Sequence, residues 1–124
     1  MAGNGNTRHY DLEERTYEFA RDVRGLVKQL PHTLANIEDA KQLVRASGSV
    51  GANYIEANEA LSKKDFALRI KICRKEAKES GYWLRLIYCD GKADTPALRD
   101  SLLQEAKELT SIFGAIMRKA NGGV

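Results

Sequence analysis

Apolar residues recur along most of the chain at three- and four-residue intervals and nowhere in a useful run of strict alternation. That pattern predicts helices and no strands. Four periodic stretches stand out, near 11–30, 33–61, 63–90 and 96–120. In the first, Leu12, Phe19, Ala20, Val23, Leu26, Val27 and Leu30 form one narrow stripe. In the fourth, Leu98, Leu102, Ala106, Leu109, Ile112, Phe113, Ile116 and Ala120 form another. Each stripe suits a helix that turns one face to a shared core. The only prolines stand at boundaries: Pro31 closes the first helix, and Thr95-Pro96 reads as an N-cap followed by Pro at the first helical position. Ser62 and Asp65 form a capping pair at the start of the third helix. The connections are short, so successive helices run antiparallel. At 1.5 Å per residue, the three longer helices would each measure about 38 Å. The pattern therefore predicts an all-α protein, an antiparallel up-down-up-down four-helix bundle over 11–120, with a flexible tail at 1–10 and a short one at 121–124.

The third helix carries more than one stripe. Phe66, Ile70, Cys73, Ala77, Ser80, Leu84 and Ile87 step by four and three residues in an unbroken heptad seam. Leu68, Ile72, Trp83 and Leu86 fall about 100–150° round from it. One bundle core needs one stripe, so the second points to burial against another subunit. The remaining arc gathers Lys64, Lys71, Arg74, Lys75, Lys78 and Arg85 within about 100°.

The second helix is bare in its middle. Its core arc reads Ile37, Leu43, Val44, Val50, Tyr54, Ile55 and Leu61, with Ser47 and Gly51 among them, while Gly48, Ser49 and Ala52 lie on the polar side. Each Gly inside a helix costs about 1 kcal/mol against Ala. Small residues on both sides imply close approach on both sides. A neighbouring subunit's helix is the first reading; crowding within one bundle and a phosphate-bearing ligand are the alternatives. Arg45 and Glu56 bracket the bare patch on its outer face and suit polar contacts across an interface.

Composition refines this picture modestly. At 124 residues the chain is one domain, large enough to fold without a disulfide or metal staple. Two cysteines are too few for a secreted framework, and Cys73 falls on the apolar seam. No stretch approaches the roughly 20 apolar residues of a membrane span. The N-terminal residues lack the apolar core of a signal peptide. A cytoplasmic protein that does not enter membranes is the expectation. The net charge is only +3, but between Lys63 and Cys89 eight basic residues face three acidic ones. That segment carries +5 and the rest of the chain −2.

Catalytic and metal chemistry find little to stand on. The only histidines, His9 and His32, lie in the tail and the first loop, so neither a Glu-x-x-His di-iron set nor a zinc site can be drawn, and no cofactor is expected. Three Glu-x-x-Glu pairs occur: Glu56/Glu59, Glu76/Glu79 and Glu105/Glu108. Facing pairs could hold Mg²⁺, and the first two loosely resemble the acidic motifs of all-α nucleotide pyrophosphohydrolases. Neighbouring lysines favour ion pairs instead. Arg69 and Glu76, inside the broad apolar arc of the third helix, are candidates for a register-fixing polar network. Tyr82 and Trp83 could stack on bases or serve as core or interface aromatics.

Three stretches carry a family likeness. "LEERTYEFARDVRGLV", "KQLVRASGSVGANYIEANEA" and "SKKDFALRIKICRKEAKESGYWLRLI" resemble the four-helix-bundle proteins encoded in intervening sequences of bacterial 23S rRNA genes. The same superfamily includes the accessory variability determinant proteins of diversity-generating retroelements, to which the likeness is mainly Tyr82 to Arg85. The resemblance implies a bundle that assembles into a ring-like homopentamer. From the retroelement branch it implies a basic surface that binds RNA or DNA and partners a reverse transcriptase; here Lys64, Lys71, Arg74, Lys75, Lys78 and Arg85 would form that surface. The expectation is a non-enzymatic, self-assembling accessory protein. A purely structural protein without nucleic-acid affinity is the second reading and a Mg²⁺-dependent pyrophosphohydrolase the third. The interface with further copies would include Arg45, Gly48, Ser49, Ala52, Glu56, Leu68, Ile72, Trp83 and Leu86.

Overall fold

The computed structural model describes residues 11–91 and 94–122. Among them the chain forms four helices and no strand: α1 Leu12–Lys28, α2 Leu34–Asn58, α3 Lys63–Leu86 and α4 Thr95–Ala120. Each helix packs on its neighbours in chain order and α1 meets α4, which is the up-down-up-down bundle. The tail expected at 1–10 lies outside the described residues, as do 123–124. Among the described residues no helix is long and apolar enough to cross a membrane.

The helix ends follow local chemistry. Thr33 and Ser62, both extended, accept the backbone N–H of Asn36 and Asp65 at 3.1 and 3.0 Å. Such caps are worth about 1 kcal/mol each. α4 departs from expectation. Asp94 occupies its N-cap position, and Thr95 is buried, its hydroxyl donating to Gln29 Oε1 at 3.2 Å. α3 stops at Leu86 rather than 90 because Ile87 turns extended. Arg99 then donates to the carbonyls of Leu84 and Ile87, and Asn36 captures both backbone groups of Tyr88. α2 stops at Asn58, so Leu61 is a fully exposed loop residue and not part of a core arc.

The core runs the length of the bundle. Phe19, Val23 and Leu26 of α1 meet Leu43 and Val50 of α2, Ile70 and Leu84 of α3, and Leu109 and Phe113 of α4. Burying such a side chain stabilises by about 1.5–3 kcal/mol. The heptad seam of α3 is buried from Ile70 to Ile87 and half-buried at Phe66. Its small members, with Gly81 alongside, let α4 come close; Leu103 and Ala106 lie just over Gly81.

α2 corrects the sequence reading most. Ile37 and Ile55 are exposed, and the core takes Asn36, Ala46, Ser47 and Ala57 in their place. The apolar arc of this helix is wider than the face it buries. Its bare middle also has intrachain causes. A Cβ on Gly51 would stand 2.9 Å from Thr16 Oγ1, so α1 crosses α2 there almost backbone to backbone. A Cβ on Gly48 would stand 3.3 Å from an Arg24 nitrogen. Ser49 accepts from the Asn53 amide, whose oxygen accepts from Arg69 of α3 at 3.1 Å. Only Ala52 of the stretch is left exposed.

Candidate functional site

The outward face of α3 gathers most of the candidate residues. Lys64, Lys71, Lys75, Lys78 and Arg85 are exposed along it. Lys75 has acidic neighbours, Glu76 at 3.7 Å and Glu79 at 3.8 Å. Among the described residues no ion pair holds Lys64, Lys71, Lys78 or Arg85. Arg74 differs from the rest: it is half-buried in the α3/α4 groove, where Gly114 lacks the side chain that would crowd its Nε. Arg118 of α4 converges on the same glycine. Sequence reasoning missed Arg118 because it joins the basic face from another helix.

Beside the cations runs the second apolar stripe. Leu68 is 54% and Leu86 49% exposed, while Ile72 and Trp83 are half-buried. Trp83 packs on the core and meets the ring of Tyr82 edge-on at 4.9 Å. Tyr82, 54% exposed, belongs to the basic arc. Its spacing of four from Lys78 and three from Arg85 was the signal available in the sequence.

The α2 residues expected beside this stripe divide in two. Arg45, Ala52 and Glu56 are exposed, and Gly48 and Ser49 are half-buried. The α2/α3 register is set by Arg69 on Asn53 and by the Cys73 thiol donating to the Val50 carbonyl at 3.4 Å. That register realises the Arg69 half of the expected polar network, whereas Glu76 turns to Lys75. It also separates the two glutamate pairs that a shared Mg²⁺ site would need to face each other: Glu76 lies level with Ser47, roughly 13 Å along the axis from Glu56 at 1.5 Å per residue.

The third pair, Glu105/Glu108, grips Arg15 of α1 at 2.7 and 2.9 Å. This contact crosses a groove of about 590 Å³ between α1 and α4, lined also by Asp11, Glu14, Glu18 and Asp22. α1 lies diagonally across the core from α3, with no close backbone approach between them, so the acidic groove and the basic face of α3 lie on different sides of the bundle. Among the described residues no group of three or more His, Cys, Asp or Glu side chains could hold a metal ion. The Cys73 thiol is pushed up to about 12 by burial, which keeps it protonated and unreactive. The arrangement offers surfaces for docking, with cations and apolar side chains side by side.

Comparison with known proteins follows the same lines. The family model described as 23S rRNA-intervening sequence protein matches residues 8–115. The chain is also similar to a protein of unknown function from the S23 ribosomal protein family of Bacteroides thetaiotaomicron, solved by crystallography. The two are 30% identical over 86% of this chain and 97% of that one, with a TM-score of 0.74. No curated protein matches the chain.

Proposed function

The chain belongs to the 23S rRNA-intervening sequence protein family, and from that premise we propose a self-assembling, non-catalytic bundle that presents the basic face of α3 to nucleic acid. The observation that carries this is the juxtaposition on one helix of an exposed apolar stripe and a row of cations, four of them without a carboxylate partner among the described residues. Leu68, Ile72, Trp83 and Leu86, with Arg45, Ala52 and Glu56 from α2 and Gly48 and Ser49 at the edge, form the face for a second copy. A ring of copies, five by analogy with the family, repeats the cation row and multiplies weak phosphate contacts into useful avidity. The acidic α1/α4 groove repels a polyanion and leaves the α3 side as its landing surface. A nucleic-acid enzyme such as a reverse transcriptase, bound to the same strand, is the protein partner this reading favours. A reducing cytoplasm suits the two unpaired cysteines.

Light scattering combined with mobility shifts over a salt series tests the proposal. The unmodified protein is expected to run as an oligomer and to shift nucleic acid at low salt only. Lys71→Glu with Lys78→Glu should abolish the shift at unchanged mass, and Leu68→Glu with Leu86→Glu should lower the mass. A monomer, or an oligomer without a salt-sensitive shift, overturns it.

A further inference from the structure

We propose that the α3 face takes single-stranded rather than duplex nucleic acid, with Tyr82 as the ring on which an unpaired base stacks. This rests on the nucleic-acid reading above and narrows it to a substrate class and a contact residue.

Tyr82 stands inside the cation row. On a helical wheel it falls between Lys71, Lys75 and Lys78, with Lys78 one turn before it and Arg85 one turn after. Lys71, Lys78 and Arg85 follow one another at about 10 Å along the axis, from the rise of 1.5 Å per residue. A strand laid along them would bring its bases past Tyr82, a residue that is 54% exposed. That ring is also braced. Trp83 meets it at 4.9 Å with planes inclined by 76°, and the indole is anchored on the core. A ring already held in place loses little freedom when a base stacks on it. In a duplex the base faces are occupied by their neighbours, and only the phosphates would reach the lysines. In a single strand they are available to an aromatic platform, a contact that tolerates any base.

The chain holds one tryptophan, and it touches the proposed platform, so binding can be read at the site itself. The experiment uses the full chain with short oligo(U), oligo(dT) and a duplex of equal length. Anisotropy gives affinity across a salt series, and Trp83 emission is followed in parallel. Single strands are expected to bind more tightly than the duplex, with log affinity falling by about 0.7 per engaged phosphate as log salt rises. They should also perturb Trp83 emission, which the duplex leaves unchanged. Tyr82→Ala should weaken single-strand binding by about 5- to 150-fold, the range for losing one stacked base, and leave duplex binding and helicity as they were. Tyr82→Phe, which keeps the ring, should bind like the unmodified protein. Preference for oligo(U) or oligo(dT) tells whether RNA or DNA is the better strand, and either supports the proposal.

Equal binding of duplex and single strands, with Tyr82→Ala silent and Lys71→Glu/Lys78→Glu disabling, overturns the stacking proposal alone. Absence of salt-sensitive binding in every arm overturns the nucleic-acid reading and this inference with it.

Discussion

Arg15 on α1 holds Glu105 on α4 through two parallel N–H donors, Nε at 2.7 Å and Nη2 at 2.9 Å. Nη2 also reaches Glu108 at 2.9 Å. The bond to Glu105 raises the Arg15 pKa above its ordinary value against the opposing effect of burial. A raised pKa means stability fully present below the unfolded value, so the guanidinium's contribution is constant through the neutral range. Arg15→Met is expected to cost about 1–2 kcal/mol, the scale of charge-assisted bonds at a partly exposed site. Arg15→Lys should recover only part, because an ammonium cannot make the fork. Urea midpoints at unchanged m-value measure both.

Two glycines should answer oppositely to the same change. Gly51→Ala sets a methyl 2.9 Å from Thr16 Oγ1 with Thr16 Cβ at 3.3 Å, which forces α1 outward. The clash should outweigh the gain in helix propensity and destabilise by about 1–2 kcal/mol net. Adding Thr16→Ala should restore much of the loss, a coupling that a double-mutant cycle isolates. Gly25→Ala meets nothing within 4 Å on α1. It should stabilise by about 0.5–1 kcal/mol. Thermal melts of the unmodified protein, the two single variants, the double variant and Gly25→Ala separate the two cases.

Asn36 ties the α1–α2 turn to the end of α3. Its amide nitrogen donates to the carbonyls of Pro31 and Tyr88, both at 2.9 Å, and its oxygen accepts the Tyr88 N–H at 2.8 Å. Asn36→Ala should cost about 2–4 kcal/mol, because it leaves backbone groups around a buried residue without partners. Asn36→Asp should be nearly as damaging, since an ionised carboxylate cannot donate to either carbonyl. Denaturant unfolding followed by circular dichroism reads both values.

The two thiols should be kinetically distinct. Cys89 is half-buried and Cys73 fully buried. A disulfide reagent at mild alkaline pH is expected to modify one thiol readily, with Cys89→Ser removing that phase, and the second only as the protein opens. Burial pushes Cys73 up to about 12 from an ordinary 9.0. Its contribution to stability is therefore complete below pH 9 and declines as pH rises toward 12. The stability advantage of the unmodified protein over Cys73→Ser should shrink across that window.

The α3 seam was legible in the sequence because a strict four-three repeat leaves one way to bury it. The stripes of α1 and α4 were legible for the same reason. α2 was not, because its apolar arc is broad and the bundle chose Asn36, Ala46 and Ser47 over Ile37 and Ile55. The role of Asn36 depends on Tyr88, 52 residues away, which no local pattern exposes. The bareness at Gly48 and Gly51 was visible, but its partners, Arg24 and Thr16, belong to another helix. The cation row was readable because one helix carries it. Arg118 was hidden until α3 and α4 were paired.

α1 spans 17 residues, packs on α2 and touches α4 only sparingly, whereas α3 is clasped from both sides. The bundle thus has a preferred order of coming apart. Brief openings should peel away residues 12–28 while 63–86 hold, so amide hydrogens of the first helix exchange sooner than those of the third.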